Sequence, residues 1–153
     1  DLTGIAEQFG PVDRPDSAET RDYTQLLEQI RSGSVWQFRL TANPTKSCAR
    51  AGQPETRGKV FAHSTVEYQE KWLLDRAEKH GFRLTEDSFA VTASRWLRFA
   101  KGGGRGRPVS LLSVTYEGVL QVTDEERFRD LLINGLGRGK AYGLGLMTVM
   151  HRR

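Results

Sequence analysis

The chain has 153 residues, 37% of them hydrophobic, and a formal net charge of +4. That length suits one domain or two small ones, and no apolar run reaches the length of a membrane-spanning helix. The single cysteine, Cys48, cannot form an internal disulfide and reads as a structural thiol in a reducing cytoplasm.

Residues 1–32 read as a linker or lead-in. Gly4, Gly10, Pro11 and Pro15 punctuate it. Asp22 to Arg31 offers a short helix with Leu26, Leu27 and Ile30 on one face, and Ser32-Gly33-Ser34 ends it. Asp1-Leu2-Thr3-Gly4 carries neither an initiator methionine nor a basic-then-apolar leader, so the chain is expected to begin inside a longer protein. Val35 to Leu40 is a strand by residue type, with Trp36, Phe38 and Leu40 on one face and Asn43-Pro44 breaking it. Thr41 to Ala62 follows as a polar loop carrying Lys46, Arg50, Arg57 and Lys59. It is either a solvated loop or a basic flap over a polyanion. Ser64-Thr65-Val66-Glu67 reads as a capping box. The helix behind it is expected to bury Tyr68, Trp72, Leu73 and Ala77, with Gly81 closing it.

Phe89 to Phe99 and Pro108 to Val122 are rich in β-forming residues, and the glycine-rich stretch from Ala100 to Arg107 joins them. This pattern predicts a β-hairpin. Its end is basic, with Arg95, Arg98, Lys101, Arg105 and Arg107, and no acidic residue lies between Asp87 and Glu117. One or two lysines suffice to protect an edge hairpin from aggregation. A run dominated by arginine suits phosphate better, because guanidinium binds it bidentately. Nucleic acid is therefore the expected partner.

Thr123-Asp124-Glu125-Glu126 reads as another capping box, before a helix with Phe128, Leu131 and Leu132 on its apolar face. That helix runs into Gly135, Gly137, Gly139, Gly143 and Gly145, with Arg138 and Lys140 among them, and then into the apolar run Leu144 to Val149. A P-loop requires Ser or Thr after Gly-Lys, but Ala141 follows Lys140. A dinucleotide fingerprint starting at Gly135 would need a third glycine where Lys140 stands. Nucleotide loops also run strand, loop, helix, and this one runs helix, loop, strand. Two readings remain, a structural crossing of helix and strand or an anion-cradling loop. Lys140 is either the phosphate contact or a solvated lysine.

From Val35 onward the order is β-α-β-β-α-β, an α+β, ferredoxin-like (RRM-like) domain with an extended basic hairpin. No RNP1 pattern stands on its third strand, where Leu112, Val114 and Tyr116 occur, so base stacking on the sheet is not expected. His63, His80 and His151 form no constellation at readable spacing. They read as a residue flanking a helix start, a helix C-terminal cation and a tail residue. No metal cluster or cofactor motif stands out.

Four stretches together resemble one family. They are Phe38-Arg39-Leu40-Thr41-Ala42-Asn43-Pro44-Thr45-Lys46, Trp72-Leu73 followed by Gly81-Phe82-Arg83-Leu84, Tyr116-Glu117-Gly118-Val119-Leu120, and Gly135 to Leu146. Over about residues 33 to 150 the chain is similar to the C-terminal half of CasE, the CRISPR-associated endoribonuclease of type I-E Cascade. The resemblance implies two tandem ferredoxin-like domains, the first of them missing here, with 1–32 as linker and 33–153 as the RNA-binding second domain. It implies a parent enzyme that cuts precursor CRISPR RNA at the base of a repeat hairpin without metal and retains the product for Cascade. The family's catalytic histidine belongs to the missing domain, so no catalytic residue, metal or cofactor is expected in this chain. Its expected partners are the repeat hairpin, other Cascade subunits and the missing domain, with no membrane. The candidate RNA contacts are Lys46, Arg95, Arg98, Lys101, Arg105, Arg107, Arg138 and Lys140. A non-catalytic RNA-binding or ribonucleoprotein-scaffold domain is the alternative.

Overall fold

The computed structural model describes residues 22–48, 59–100 and 107–151. Lys101, Arg105, Arg50 and Arg57 lie outside the described residues, as do residues 1–21. The elements are α1 (Thr24–Gln29), β1 (Val35–Ala42), β2 (Thr45–Cys48), β3 (Lys59–Ala62), α2 (Val66–Ala77), β4 (Phe82–Arg83), β5 (Phe89–Phe99), β6 (Val109–Val122), α3 (Glu125–Asn134) and β7 (Met147–His151). The main sheet runs β4-β6-β1-β7, with β5 pairing β6 as well, and its ladders are antiparallel. Along β7-β1-β6-β5 this is the ferredoxin-like arrangement that the element order predicts.

One face of the sheet carries the core. Trp36, Phe38, Leu40 and Ala42 alternate along β1 and are buried. They stand opposite Leu120, Gly118, Tyr116 and Val114 of β6. Trp72, Leu73 and Ala77 of α2 and Phe128, Leu131 and Leu132 of α3 belong to the same apolar cluster. Leu112, Val114 and Tyr116 therefore belong to this core face. The opposite, open face of the sheet carries Ser113, Thr115 and Glu117 at the third strand; Ser113 and Thr115 are themselves buried, and Glu117 is paired to Arg39 at 3.4 Å. The lead-in helix is tied to the same body, because Ile30 is fully buried and the Arg129 guanidinium donates to the carbonyls of Leu27 and Ile30.

Several local expectations change. The polar loop after Asn43 begins and ends as an antiparallel ribbon, β2 on β3, with Lys46 opposite Phe61. Helix α2 starts at Thr65 without a side-chain cap, so the predicted capping box is not formed there. Its entry is held instead by His63 N–H on the Pro44 carbonyl and by Gln69 Nε2 on the His63 carbonyl. Gln69, Trp72, Leu73 and Ala77 are the buried positions of α2, at i, i+3, i+4 and i+8. That phase puts Tyr68 on the flank, 58% exposed, rather than in the core. The cap of α3 is Asp124, one residue later than expected, and its carboxylate accepts from Arg127 N–H. Thr123 stays outside the helix because its N–H bonds the Gly81 carbonyl.

The β5–β6 hairpin is longer than the sheet it belongs to. Strand β1 pairs β6 only as far as Val114, whereas β5 and β6 continue for five more pairs, from Arg95↔Ser113 to Phe99↔Val109. At about 3.4 Å per residue this arm reaches roughly 15 Å past the end of β1.

Candidate nucleic-acid interface

The arm carries cations on both of its faces. A bulge lies between Val91 and Ala93, before either arm arginine, and from there the ladder is regular. Side chains alternate along a strand, so Arg95 projects from the open face of the sheet and Arg98 from the core-side face. Both are exposed, and so is Arg107 at the foot of the return strand. Trp96 sits on the Arg98 face beyond the covering helices and is 55% exposed. None of the three arginines forms an ion pair among the described residues, which leaves their guanidinium groups available for phosphate.

The glycine-rich segment is built differently. Gly135, Gly137, Gly139, Gly143 and Gly145 all adopt positive φ, between 75° and 93°. The segment wraps the end of β1: Gly145 N–H donates to the Thr41 carbonyl, Leu136 N–H donates to the Gly145 carbonyl, and Arg138 bridges the Asn43 backbone. Several of the glycines are demanded by proximity as well as by dihedral angle, Gly135 among them, where a Cβ would stand 2.9 Å from the Gly145 carbonyl oxygen. A Cβ at Gly145 would stand 2.5 Å from the Leu136 carbonyl oxygen, and one at Gly137 would stand 3.1 Å from the Trp72 ring edge. At Gly143 the same Cβ would meet open space. The turns make the close crossing of helix and strand that the structural reading of this stretch expects.

This segment also touches the arm. The Tyr142 ring stacks on Phe99 at 5.0 Å and 18°, and Gly139 lies against Leu111 and Leu144. Arg138 and Lys140 are exposed. The charge of Lys140 reaches His80, whose pKa is lowered by burial and then by Lys79, Arg76 and Lys140. His80, in the last turn after α2, is therefore held below the ordinary histidine range. His151, read from the sequence as a tail residue, ends β7, where its ring packs tilted against Trp36 at 4.2 Å and contacts Gln29.

Lys46 stands in a second basic region, a cleft between the ribbon and α2 that also contains His63, Tyr68 and Arg76. Sequence reasoning did not single out Arg76, and it read Tyr68 as a core residue rather than a site residue. The only signal for Arg76 is its place four residues after Trp72, which sets its guanidinium 4.4 Å above that ring. The structure thus divides the described candidate cations among the projecting arm, with Arg95, Arg98 and Arg107, the glycine-rich segment, with Arg138 and Lys140, and the flank of α2, with Lys46. Among the described residues, no group of three His, Cys, Asp or Glu side chains could hold a metal ion.

A family model described as "CRISPR associated protein" matches residues 1–151. The CRISPR-associated endoribonuclease Cse3 of Thermus thermophilus is 35% identical over 127 residues, which is 78% of this chain and 57% of that protein. The chain belongs to the CasE family of CRISPR-associated proteins. A structure of Thermus thermophilus Cse3, bound to an RNA representing a pre-cleavage complex, superposes with a TM-score of 0.67 at 34% identity, covering 79% of this chain and 55% of that one. A chain of a CRISPR RNA-guided surveillance complex gives 0.65 at 24% identity, covering 90% and 67%, and at that identity the likeness speaks for the fold. The chain spans a little over half the length of the curated relative it matches. The superposition bears out the α+β, ferredoxin-like fold described above.

Proposed function

We propose that this chain is the RNA-clamping C-terminal part of a cytoplasmic CRISPR RNA-processing endoribonuclease. Residues 33–153 would form its second ferredoxin-like domain and residues 1–32 the lead-in from the first. The substrate is the repeat hairpin of precursor CRISPR RNA, cut at the stem base without metal and retained for the other Cascade subunits. The observation that carries this reading is the projecting arm, with unpaired arginines on both faces, on a fold shared with an endoribonuclease whose structure is bound to RNA. A-form RNA hides its base edges in a deep, narrow groove, so the arm recognises phosphate and shape. Arg95, Arg98 and Arg107 act there together with Lys101 and Arg105.

The reaction is attack of a ribose 2′-oxygen on the adjacent phosphorus. The 2′-O–P bond forms, the P–O5′ bond breaks, a base takes the 2′ proton and an acid protonates the leaving 5′-oxygen. Such a step needs a positioned base and acid, together with donors for the charge on the phosphoryl oxygens. This chain supplies donors. Its histidines are engaged separately, His63 against Tyr68, His80 after α2 and His151 against Trp36. The base and acid are assigned to the other half of the parent enzyme, and this chain alone is inactive.

The test is incubation of the purified chain with a repeat hairpin RNA in EDTA, beside a binding titration. Binding without cleavage is expected. Cleavage at the stem base by this chain would place the active site here, and absence of binding would remove the clamp. The dispersed histidines also fit a non-catalytic RNA-binding scaffold domain. That reading separates from the first when the full-length parent, assayed in the same way, fails to cut.

A further inference from the structure

The arm and the glycine crossing leave a third feature unexplained, the cleft between the ribbon and α2. Its volume is roughly 340 Å³, within the range of about 300–1,000 Å³ usual for small-molecule sites. Lys46 and His63 line it from the ribbon side, and Tyr68, Lys71, Trp72 and Arg76 line it from α2. The Lys71 ammonium is paired with Asp75 at 3.1 Å, so those two charges offset one another. Lys46 and Arg76 form no ion pair among the described residues and give the cleft its positive charge.

Arg76 is placed rather than merely present. Its Nη1 donates to the Trp72 carbonyl at 3.0 Å, and its guanidinium lies over the indole. A guanidinium has five N–H donors, and among the described residues Arg76 makes one side-chain hydrogen bond, which leaves donors for a ligand in the cleft it lines. Lys46 and Arg76 act on the same spot, since both depress the pKa of His63 after burial does. Beside them the His63 and Tyr68 rings stack at 5.7 Å and 19°, and Tyr68 is more than half exposed. An aromatic side chain on a helix flank, off the apolar phase, exposes a ring that packing inside this domain does not use. The buried Trp72 Nε1–H finds no acceptor among the described residues, although buried donors are normally satisfied.

Two cations next to an aromatic pair whose Tyr68 ring is exposed are the elements of nucleotide binding, because guanidinium and ammonium hold phosphate while a ring face stacks any base. We propose that this cleft is a nucleotide subsite: it takes one unpaired nucleotide of the RNA strand adjoining the stem, with its phosphate between Lys46 and Arg76 and its base against Tyr68. The assignment to the RNA strand rests on the function proposed above, whereas the affinity for a nucleotide does not. It divides the work of the two basic regions. The arm grips the stem, and the cleft fixes the single strand next to it.

Two measurements test the proposal. In the first, protein labelled with ¹⁵N at its indoles is titrated with adenosine monophosphate, adenosine and inorganic phosphate, and the Trp72 Nε1–H signal is followed. Saturable shifts are expected with the monophosphate, with an affinity at least five-fold higher than for either fragment and a loss of at least five-fold in Lys46→Ala and Tyr68→Ala. Equal affinity for phosphate and the monophosphate, or no effect of either substitution, overturns the nucleotide assignment. In the second, a repeat hairpin with four unpaired nucleotides beside the stem is compared with the same hairpin lacking them. Tighter binding of the flanked RNA is expected, and Tyr68→Ala should abolish that gain while leaving the bare hairpin unaffected. Equal binding of the two RNAs by the unaltered protein overturns the assignment to the strand. If the protein bound the monophosphate but no hairpin, the clamp reading would fall and the cleft would stand.

Discussion

The glycine crossing and the β5–β6 arm are both candidates for gripping RNA, and they are built on opposite principles. The crossing is fixed by its backbone: five positive-φ glycines, a carbonyl within 2.5 Å of where a side chain would begin, and hydrogen bonds back to β1 and α3. The arm is fixed by little beyond its own ladder, and its cations extend into water. The comparison teaches that a residue pattern dictating geometry produces a rigid scaffold, while a pattern of charge produces a surface whose meaning depends on the partner. Substitutions in the crossing should therefore be read in stability, and those in the arm in affinity.

The strongest way to break this contrast is Gly145→Ala. It adds a Cβ that collides with the Leu136 carbonyl at a φ of +93°, so steric overlap adds to the strain of about 1–2 kcal/mol for a left-handed L-residue. A loss of about 3 kcal/mol or more is expected, seen as a much lower melting temperature or as failure to fold. Gly143→Ala separates the two causes, because it carries the strain without the collision. It should cost only about 1–2 kcal/mol. Equal losses at the two positions would show that crowding is not what fixes the crossing.

The next prediction concerns the point where the regions meet. If the Phe99–Tyr142 stack couples arm and crossing, a double-mutant cycle with Phe99→Ala and Tyr142→Ala should give a coupling of about 0.5–1.5 kcal/mol in stability. Strict additivity would mean that the arm stands independently of the loop.

Much of the scaffold was legible. The order β-α-β-β-α-β follows from residue type and apolar spacing, and Phe128, Leu131 and Leu132 are buried as their spacing requires. The positive φ of the glycine stretch was legible because few other residues adopt it without cost. What escaped depends on contacts distant in sequence. The ribbon's strands are four residues each, too short to show a period. Gln69, a polar residue, takes the buried position in place of Tyr68, with its side-chain amide donating to the His63 carbonyl, a contact that apolar spacing does not reveal. Arg76 gains its place only when α2 meets the ribbon.

The smallest effect expected is one of pH. His63 and His80 both titrate below the ordinary value of 6.5, first through burial and then through Lys46 and Arg76 for the one, and Lys79, Arg76 and Lys140 for the other. Between their folded values and 6.5 the unfolded chain binds more protons. The stability they contribute is therefore complete above about pH 6.5 and falls as pH drops through the folded values. Replacing both with glutamine should flatten the decline in melting temperature between about pH 7.5 and about pH 5 relative to the parent. An unchanged decline would assign it to carboxylates alone.

The central claim, that the arm grips the RNA backbone, is tested most directly by salt dependence. Hairpin binding is titrated across a salt series on two stems of unrelated sequence, with the parent and with Arg95→Ala/Arg98→Ala/Arg107→Ala. Three lost phosphate contacts should lower the slope of log affinity against log salt by about 2, since each accounts for about 0.7–0.9. The loss should be equal on both stems, because phosphate contacts position without specifying sequence. An unchanged slope, or a loss confined to one stem, would contradict the account.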